Sequence, residues 1–212
     1  VEAVKALLAH DDIAVNQATN SGLTPLIFAA GEGHVEVVEV LLAHDGIAVN
    51  QAMDGGATPL FAAAMEGHVD VVKVLLGHDG IAVNQAMDGG YTPLSVAAWK
   101  GHVEVVKALL GHDGIAVNQA MDGGATSLCV AAQEGHMEVV QALLGHDGIA
   151  VNQAADGGAS PLYIASCNSH VEVVKVLLIQ NGLAVNQALD GGATTLYNAA
   201  QGGHVEVVKA LL

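Results

Sequence analysis

The stretch TPLFAAAMEGHVDVVKVLL, Thr58 to Leu76, decides the fold. Thr58-Pro59 is a helix start, with Thr as N-cap and Pro at the first helical position. Leu60 to Met65 then gives a short, Ala-rich helix whose small residues permit close packing. Gly67 breaks it. A second helix follows over Val69 to Leu76, with Val69, Val71, Val72, Leu75 and Leu76 apolar and Asp70 and Lys73 facing out. The next fourteen residues, GHDGIAVNQAMDGG from Gly77 to Gly90, recur word for word from Gly111 to Gly124. Gly77-His78-Asp79-Gly80 ends the second helix. The IAV triplet predicts a short extended piece, and MDGGA carries the Asp-Gly-Gly signal of a tight, hairpin-like turn.

The unit repeats along the chain. TPL or a close variant begins at Thr24, Thr58, Thr92, Thr126, Ser160 and Thr194, every 34 residues. His34, His68, His102, His136, His170 and His204 keep the same interval, each after Gly except where Ser169 stands. The expected organisation is one array over 1–212, with no linker and no second domain. Residues 1–19 form a partial opening unit. Full units span 20–53, 54–87, 88–121, 122–155 and 156–189, and 190–212 form a partial last one. Two such short helices cannot bury their apolar faces alone, so stacked neighbours must share one elongated core. The fold class is an all-α repeat solenoid of helix-turn-helix units with short hairpin-like fingers, about six repeats.

Composition narrows the function. The formal net charge is −16, from 22 Asp and Glu against 6 Lys and no Arg. Such a surface repels phosphate backbones and anionic membranes, which argues against nucleic acid and for a neutral or basic protein partner. Hydrophobic residues make up 52% but aromatics only 3%, so the apolar mass is Ala, Val and Leu, suited to closely stacked units. No apolar run reaches the ~18 residues of a membrane span. No signal peptide is visible, and Cys129 and Cys167 are isolated, so a reducing, cytoplasmic or nuclear compartment is the expectation.

The pattern resembles the ankyrin repeat, a finger followed by an antiparallel helix pair. The runs TPLIFAAGEGH (Thr24 to His34) and TPLFAAAMEGH (Thr58 to His68) carry the likeness. So do VxVVxxLL in the second helix and the VN pairs Val49-Asn50 and Val83-Asn84. The likeness covers all 212 residues. The usual period is ~33 residues, so the segment after LL is one longer here. The His of the family's TPLH is replaced by Ile27, Phe61, Ser95, Cys129, Tyr163 and Tyr197. That removes a hydrogen bond tying units in the family, so register is expected to rest more on packing. The resemblance also implies a concave groove, built from finger bases and first helices, that takes protein partners. In the family the Asn of VN can be hydroxylated. Asn50, Asn84, Asn118 and Asn152 stand there, but Ala48, Ala82, Ala116 and Ala150 replace the acidic residue that often precedes VN. An Asn that fixes turn backbone is the favoured reading.

The repeated polar residues read as structure. In the ankyrin pattern the six Gly-His histidines serve the turn between helices. His10, His44, His78, His112 and His146 are placed to satisfy carbonyls at the C-terminus of the second helix. A metal needs several ligands within about 2.0–2.2 Å of one ion, whereas a linear array spaces equivalent side chains by roughly 10 Å. Asp54, Asp88, Asp122, Asp156 and Asp190 on the fingers, with Asp45, Asp79, Asp113 and Asp147 at the helix exits, are turn residues rather than a shielded catalytic pair. Cys129 and Cys167 have no distinctive base, and no phosphate-loop motif occurs. The expectation is no enzyme, no cofactor and no metal.

Differences between units mark what the scaffold leaves free. The second helix barely varies. The slot before TPL holds Leu23, Ala57, Tyr91, Ala125, Ala159 and Ala193. A slot near the end of the first helix holds Gly31, Met65, Trp99, Gln133, Cys167 and Gln201. The next holds Glu32, Glu66, Lys100, Glu134, Asn168 and Gly202. All six aromatics lie in finger-base or first-helix slots. Phe28, Phe61, Tyr163 and Tyr197 are expected to fill core between units, and Tyr91 and Trp99 to be exposed. Interface hot spots favour Trp and Tyr. The expected recognition centre is Tyr91, Trp99 and Lys100, flanked by Met65, Glu66, Gln133 and Glu134, with Leu23 and Cys167 in the same slots. The leading function is a non-catalytic protein-binding module. The alternative is an architectural spacer in a larger protein, arising by recent duplication or consensus-like design. Neither end carries a polar capping face, so further repeats, caps or end-to-end self-association are expected beyond Val1 and Leu212.

Overall fold

The structure is a computed structural model that describes residues 1–10 and 12–212. Among the described residues it is built from thirteen short α-helices. The first, α1 (Glu2–Leu8), stands alone. Six helix pairs follow: α2 (Pro25–Gly31) with α3 (Val35–Leu42), α4 (Pro59–Glu66) with α5 (Val69–Leu76), α6 (Pro93–Lys100) with α7 (Val103–Leu110), α8 (Ser127–Glu134) with α9 (Met137–Leu144), α10 (Pro161–Cys167) with α11 (Val171–Leu178), and α12 (Thr195–Gln201) with α13 (Val205–Leu211). No helix is long and apolar enough to cross a membrane, among the described residues.

Local chemistry sets each start. Thr58 is extended and its hydroxyl accepts from the Phe61 amide at 3.2 Å, with Pro59 at the first helical position. Thr24, Thr92, Thr126, Ser160 and Thr194 cap their helices in the same way. In α6 the Ser95 hydroxyl returns the bond to the Thr92 amide, completing a capping box. Gly67, at φ +80°, stops α4 in the left-handed region that glycine enters without steric penalty. Helices of seven or eight residues are too short to stand alone in water, so packing holds them.

First helices stack on first helices, from α2 through α12, and second helices on second, from α1 through α13. One continuous core results. Leu60, Leu94, Leu128 and Leu162 are buried in its first-helix layer, and Val72, Val106, Val140 and Val174 in its second. Leu196 occupies the same first-helix slot but is exposed, because no unit packs beyond it in the described residues.

Hydrogen bonds between units act beside packing in setting register. Two side-chain ladders and one backbone ladder join neighbouring units. Asn50 donates to the Gly80 carbonyl at 2.8 Å and accepts from the Ala82 amide at 2.8 Å, clamping the exit turn of the next unit. Asn16, Asn84, Asn118 and Asn152 repeat this bidentate grip. The Gly-His histidines reach backwards instead. His68 Nε2 donates to the Gly31 carbonyl at 2.9 Å, and His102, His136 and His170 bond to Met65, Trp99 and Gln133 in the same way. At the fingers the Asp88 amide donates to the Gly55 carbonyl at 2.8 Å, and Asp54, Asp122, Asp156 and Asp190 continue the row.

Two local expectations change. Among the described residues the side chains of His44, His78, His112 and His146 bond within the exit turn rather than to helix carbonyls. His44, His112 and His146 accept the amide of the glycine two residues on, through Nδ1, and His78 Nδ1 donates to the Asp79 carbonyl. The helix carbonyls are satisfied by backbone amides of the turn, as in His78 N to Leu75 O. The IAV segment forms no strand. The chain curls over Ala82–Gln85, closed by Gln85 N to Ala82 O at 3.1 Å, and Val83 drops into the core. Each finger is a tight hairpin closed by two backbone bonds, as in Met53 N to Ala57 O and Gly56 N to Met53 O.

Candidate functional site

The face of finger bases and first helices carries the residues that differ between units. Tyr91 stands just before α6 and is 39% exposed, its ring lying over Gly89 of the finger. Trp99 is in the last turn of α6 and is 43% exposed. Eight helical residues span about 12 Å, so the two rings flank the ends of one helix rather than touching. Lys100 Nζ sits 4.3 Å from the centre of the Trp99 ring, a cation–π pair that places the chain's one lysine outside the second helices on an aromatic platform. The bond from His136 to the Trp99 carbonyl, 3.0 Å, anchors the turn that presents the ring.

The flanking candidates divide. Glu66, Gln133 and Glu134 are exposed, and Gln133 Nε2 donates to Glu134. Leu23 and Met65 are half-buried and share an open groove of about 540 Å³ with Glu66, Phe28, Gly31 and Glu32. Cys167 is half-buried in the seam between α10 and α12, where Asn198 Nδ2 donates to its Sγ at 2.8 Å. Burial pushes its thiol up from the ordinary value, opposed by hydrogen bonds from Tyr163 and Asn198. Burial also raises the Tyr163 phenol, reinforced by Cys167. Cys167 is thus a seam residue, remote in character from the exposed Tyr91 and Trp99.

The four aromatics expected in the core split by position in the stack. Phe61 is buried at 4%, Tyr163 is half-buried, and Phe28 and Tyr197 are exposed at 54% and 60%. The Phe28 slot faces the preceding unit, as Asn198 shows by bonding Cys167, and among the described residues no first helix precedes α2. The Tyr197 slot faces the following unit, as the equivalent Ile27 shows by lining a groove with Ala62 and Met65 of the next unit, and no unit packs beyond α12 in the described residues. Phe28 and Met53, which line the groove with Leu23 and Met65, were missed by the sequence reading, whereas Gly31 and Glu32 stood in its variable slots but outside the expected recognition centre. The usable signal was Gly31, the only glycine in its slot.

Charge is segregated. Five of the 6 lysines lie on second helices, paired one turn away with an acid: Lys5–Glu2, Lys73–Asp70, Lys107–Glu104, Lys175–Glu172 and Lys209–Glu206. The opposite face carries Glu32, Asp54, Glu66, Asp88, Asp122, Glu134, Asp156 and Asp190 against Lys100 alone. Among the described residues no three His, Cys, Asp or Glu side chains converge on one metal position. A recess of about 610 Å³ over Asn16 and His44 is walled by groups already bonded in the exit turn.

Sequence models of ankyrin repeats match residues 1–53, 48–121 and 114–188, and a second ankyrin-repeat model matches 169–212. The chain belongs to the ankyrin-repeat family, whose repeats are in general protein–protein interaction modules on a non-catalytic fold. Among solved structures it is similar to the ankyrin repeat protein EF0377, at TM-score 0.81 and 25% identity, over 92% of this chain and 98% of that one. No curated protein matches it in sequence.

Proposed function

We propose that residues 1–212 act as one non-catalytic array that grips a neutral or basic protein partner on the face of finger bases and first helices. Tyr91, Trp99 and Lys100 form the recognition centre. One observation carries the reading. In an array whose core and ladders repeat almost without change, Tyr91 and Trp99 are exposed within the stack, both at α6, in slots that hold no other aromatic, whereas the exposed Phe28 and Tyr197 lie in its first and last described helix pairs. A buried core selects repetition; an exposed aromatic that breaks it has no packing role to explain it. The acidic character of the same face supports a partner without net negative charge, and a cytoplasmic or nuclear setting fits the free thiols.

The test is quantitative capture of cell-lysate proteins on the native chain, on Trp99→Ala and on Tyr91→Ala/Trp99→Ala. Loss of a 2 kcal/mol hot spot lowers affinity about thirtyfold, so specific partners should be depleted at least about tenfold. Recovery of the same proteins in the same amounts by all three would remove the reading. The word-for-word recurrence of Gly77–Gly90 at Gly111–Gly124 favours a second reading, an architectural spacer without a dedicated site. That reading requires no depletion by either variant.

A further inference from the structure

The groove between α2 and α4 exists because one side chain is missing. Where other units place Met65, Trp99, Gln133, Cys167 or Gln201, this unit has Gly31. A Cβ at Gly31 would stand 3.7 Å from Ala62 Cβ, ordinary contact distance, so the space beyond it is open. Leu23, Phe28 and Met65 form apolar walls of this groove of about 540 Å³, and Glu32 and Glu66 stand exposed at its edge. Neither carboxylate has an ion-pair partner among the described residues, and no lysine lines the groove.

From this geometry we infer that the groove is a second partner subsite, one that takes an apolar side chain flanked by lysine or arginine in an exposed peptide segment. The inference rests on the reading of this face as the interaction surface, and lies two units from its proposed centre at Trp99. Apolar walls alone would accept any hydrophobic anchor. The two unmatched carboxylates repel an acidic segment and favour a basic one, and the scarcity of cations on the whole face reinforces that choice. The anchor supplies affinity through burial, and the flanking cations supply orientation and rate of encounter.

The peptide KKKFKKK is the probe, with KKKSKKK and GGGFGGG as comparators, titrated at low salt and followed by the methyl resonances of Met65 and Met53. KKKFKKK should shift Met65 saturably. Loss of the ring, a side chain worth 1.5–3 kcal/mol when buried, should weaken KKKSKKK by about tenfold or more. Gly31→Met fills the groove with the residue its neighbouring unit carries at that slot, and should weaken KKKFKKK by a similar factor, about tenfold. Glu32→Gln/Glu66→Gln should weaken KKKFKKK and flatten its salt dependence while leaving GGGFGGG unchanged. Equal binding of KKKFKKK to native chain and Gly31→Met, equal binding of KKKSKKK and KKKFKKK, or no saturable shift would each overturn the inference. If Trp99→Ala depletes captured partners while Gly31→Met leaves KKKFKKK binding intact, the function stands and the second subsite falls.

Discussion

Ser169 is the one non-glycine residue of the described chain at positive φ, +58°, and it supplies a natural control for the histidine ladder. At the equivalent Gly101 an added Cβ would lie 2.8 Å from His136 Cε1, inside contact distance. The His136 ring stays there because Nε2 holds the Trp99 carbonyl. In the last seam the ring of His204 has moved, and Nδ1 pairs with the Ser169 hydroxyl instead. The moved ring passes over residue 202, where a Cβ would sit 2.6 Å from Nε2 and where the sequence has glycine. Ser169 and Gly202 are therefore one arrangement. Transplanting half of it should fail. Gly101→Ser places a serine in the left-handed region, at about 1–2 kcal/mol. It also breaks the His136 bond, at about 1 kcal/mol. The swung ring then meets Glu134, which occupies the slot of Gly202. The expected loss is about 2–3 kcal/mol. Glu134→Gly alone should lose up to about 1 kcal/mol as a helix-end glycine. The double variant should recover about 1 kcal/mol relative to the sum, as the new Ser–His bond forms. Urea unfolding of all four chains measures this through the midpoint at constant slope. Losses that add within ~0.5 kcal/mol, or an unchanged midpoint for Gly101→Ser, would refute the coupling.

Other seams give further expectations. Ser169→Gly should stabilise by about 1 kcal/mol through relief of the left-handed serine, with the His204 bond exchanged rather than lost; a lower urea midpoint would contradict this. Asn84→Ala removes both bonds to the next exit turn and should lose about 1–3 kcal/mol, whereas Asn186→Ala, whose side chain has no partner among the described residues, should change stability by less than ~0.5 kcal/mol. Equal effects on the midpoint would show that the clamp does not hold the stack. Burial raises the Cys167 thiol, so its proton is held more tightly in the folded than in the unfolded chain. Stability from this group is present at neutral pH and lost as pH rises through the thiol range, and iodoacetamide should label Cys167 in the native chain more slowly than in urea. Equal labelling rates would count against a closed seam.

Much of the fold was legible because its signals are local. Thr58, Pro59 and Gly67 act within one turn of themselves, and α5 begins and ends at the predicted Val69 and Leu76. The ladders were not legible, because Asn50 and His68 find partners 30 or more residues away. Nothing near Asn50 distinguishes a residue that fixes its own turn from one that fixes the next. The IAV triplet, with two β-branched residues, reads as extended, yet the chain turns over Ala82–Gln85 with Val83 buried. Exposure of Tyr91 and Trp99 followed from comparing slots. That comparison failed for Phe28 and Tyr197, whose exposure depends on place in the stack rather than on residue type. The groove was hidden because its cause, Gly31, is an absence of atoms.

The three ladders also have a mechanical meaning. Finger bonds, histidine ties and asparagine clamps join successive units at separate points of the seam, so sliding one unit over the next must stretch several bonds at once. Peeling a terminal unit breaks only the bonds of one seam. Under tension the array therefore resists shear as a stiff beam but yields from an end, each 34-residue unit releasing about 110–120 Å of chain. The seams are near copies, so the steps should come at similar forces, and the rearranged junction at Ser169 and His204 marks the place where the rhythm breaks.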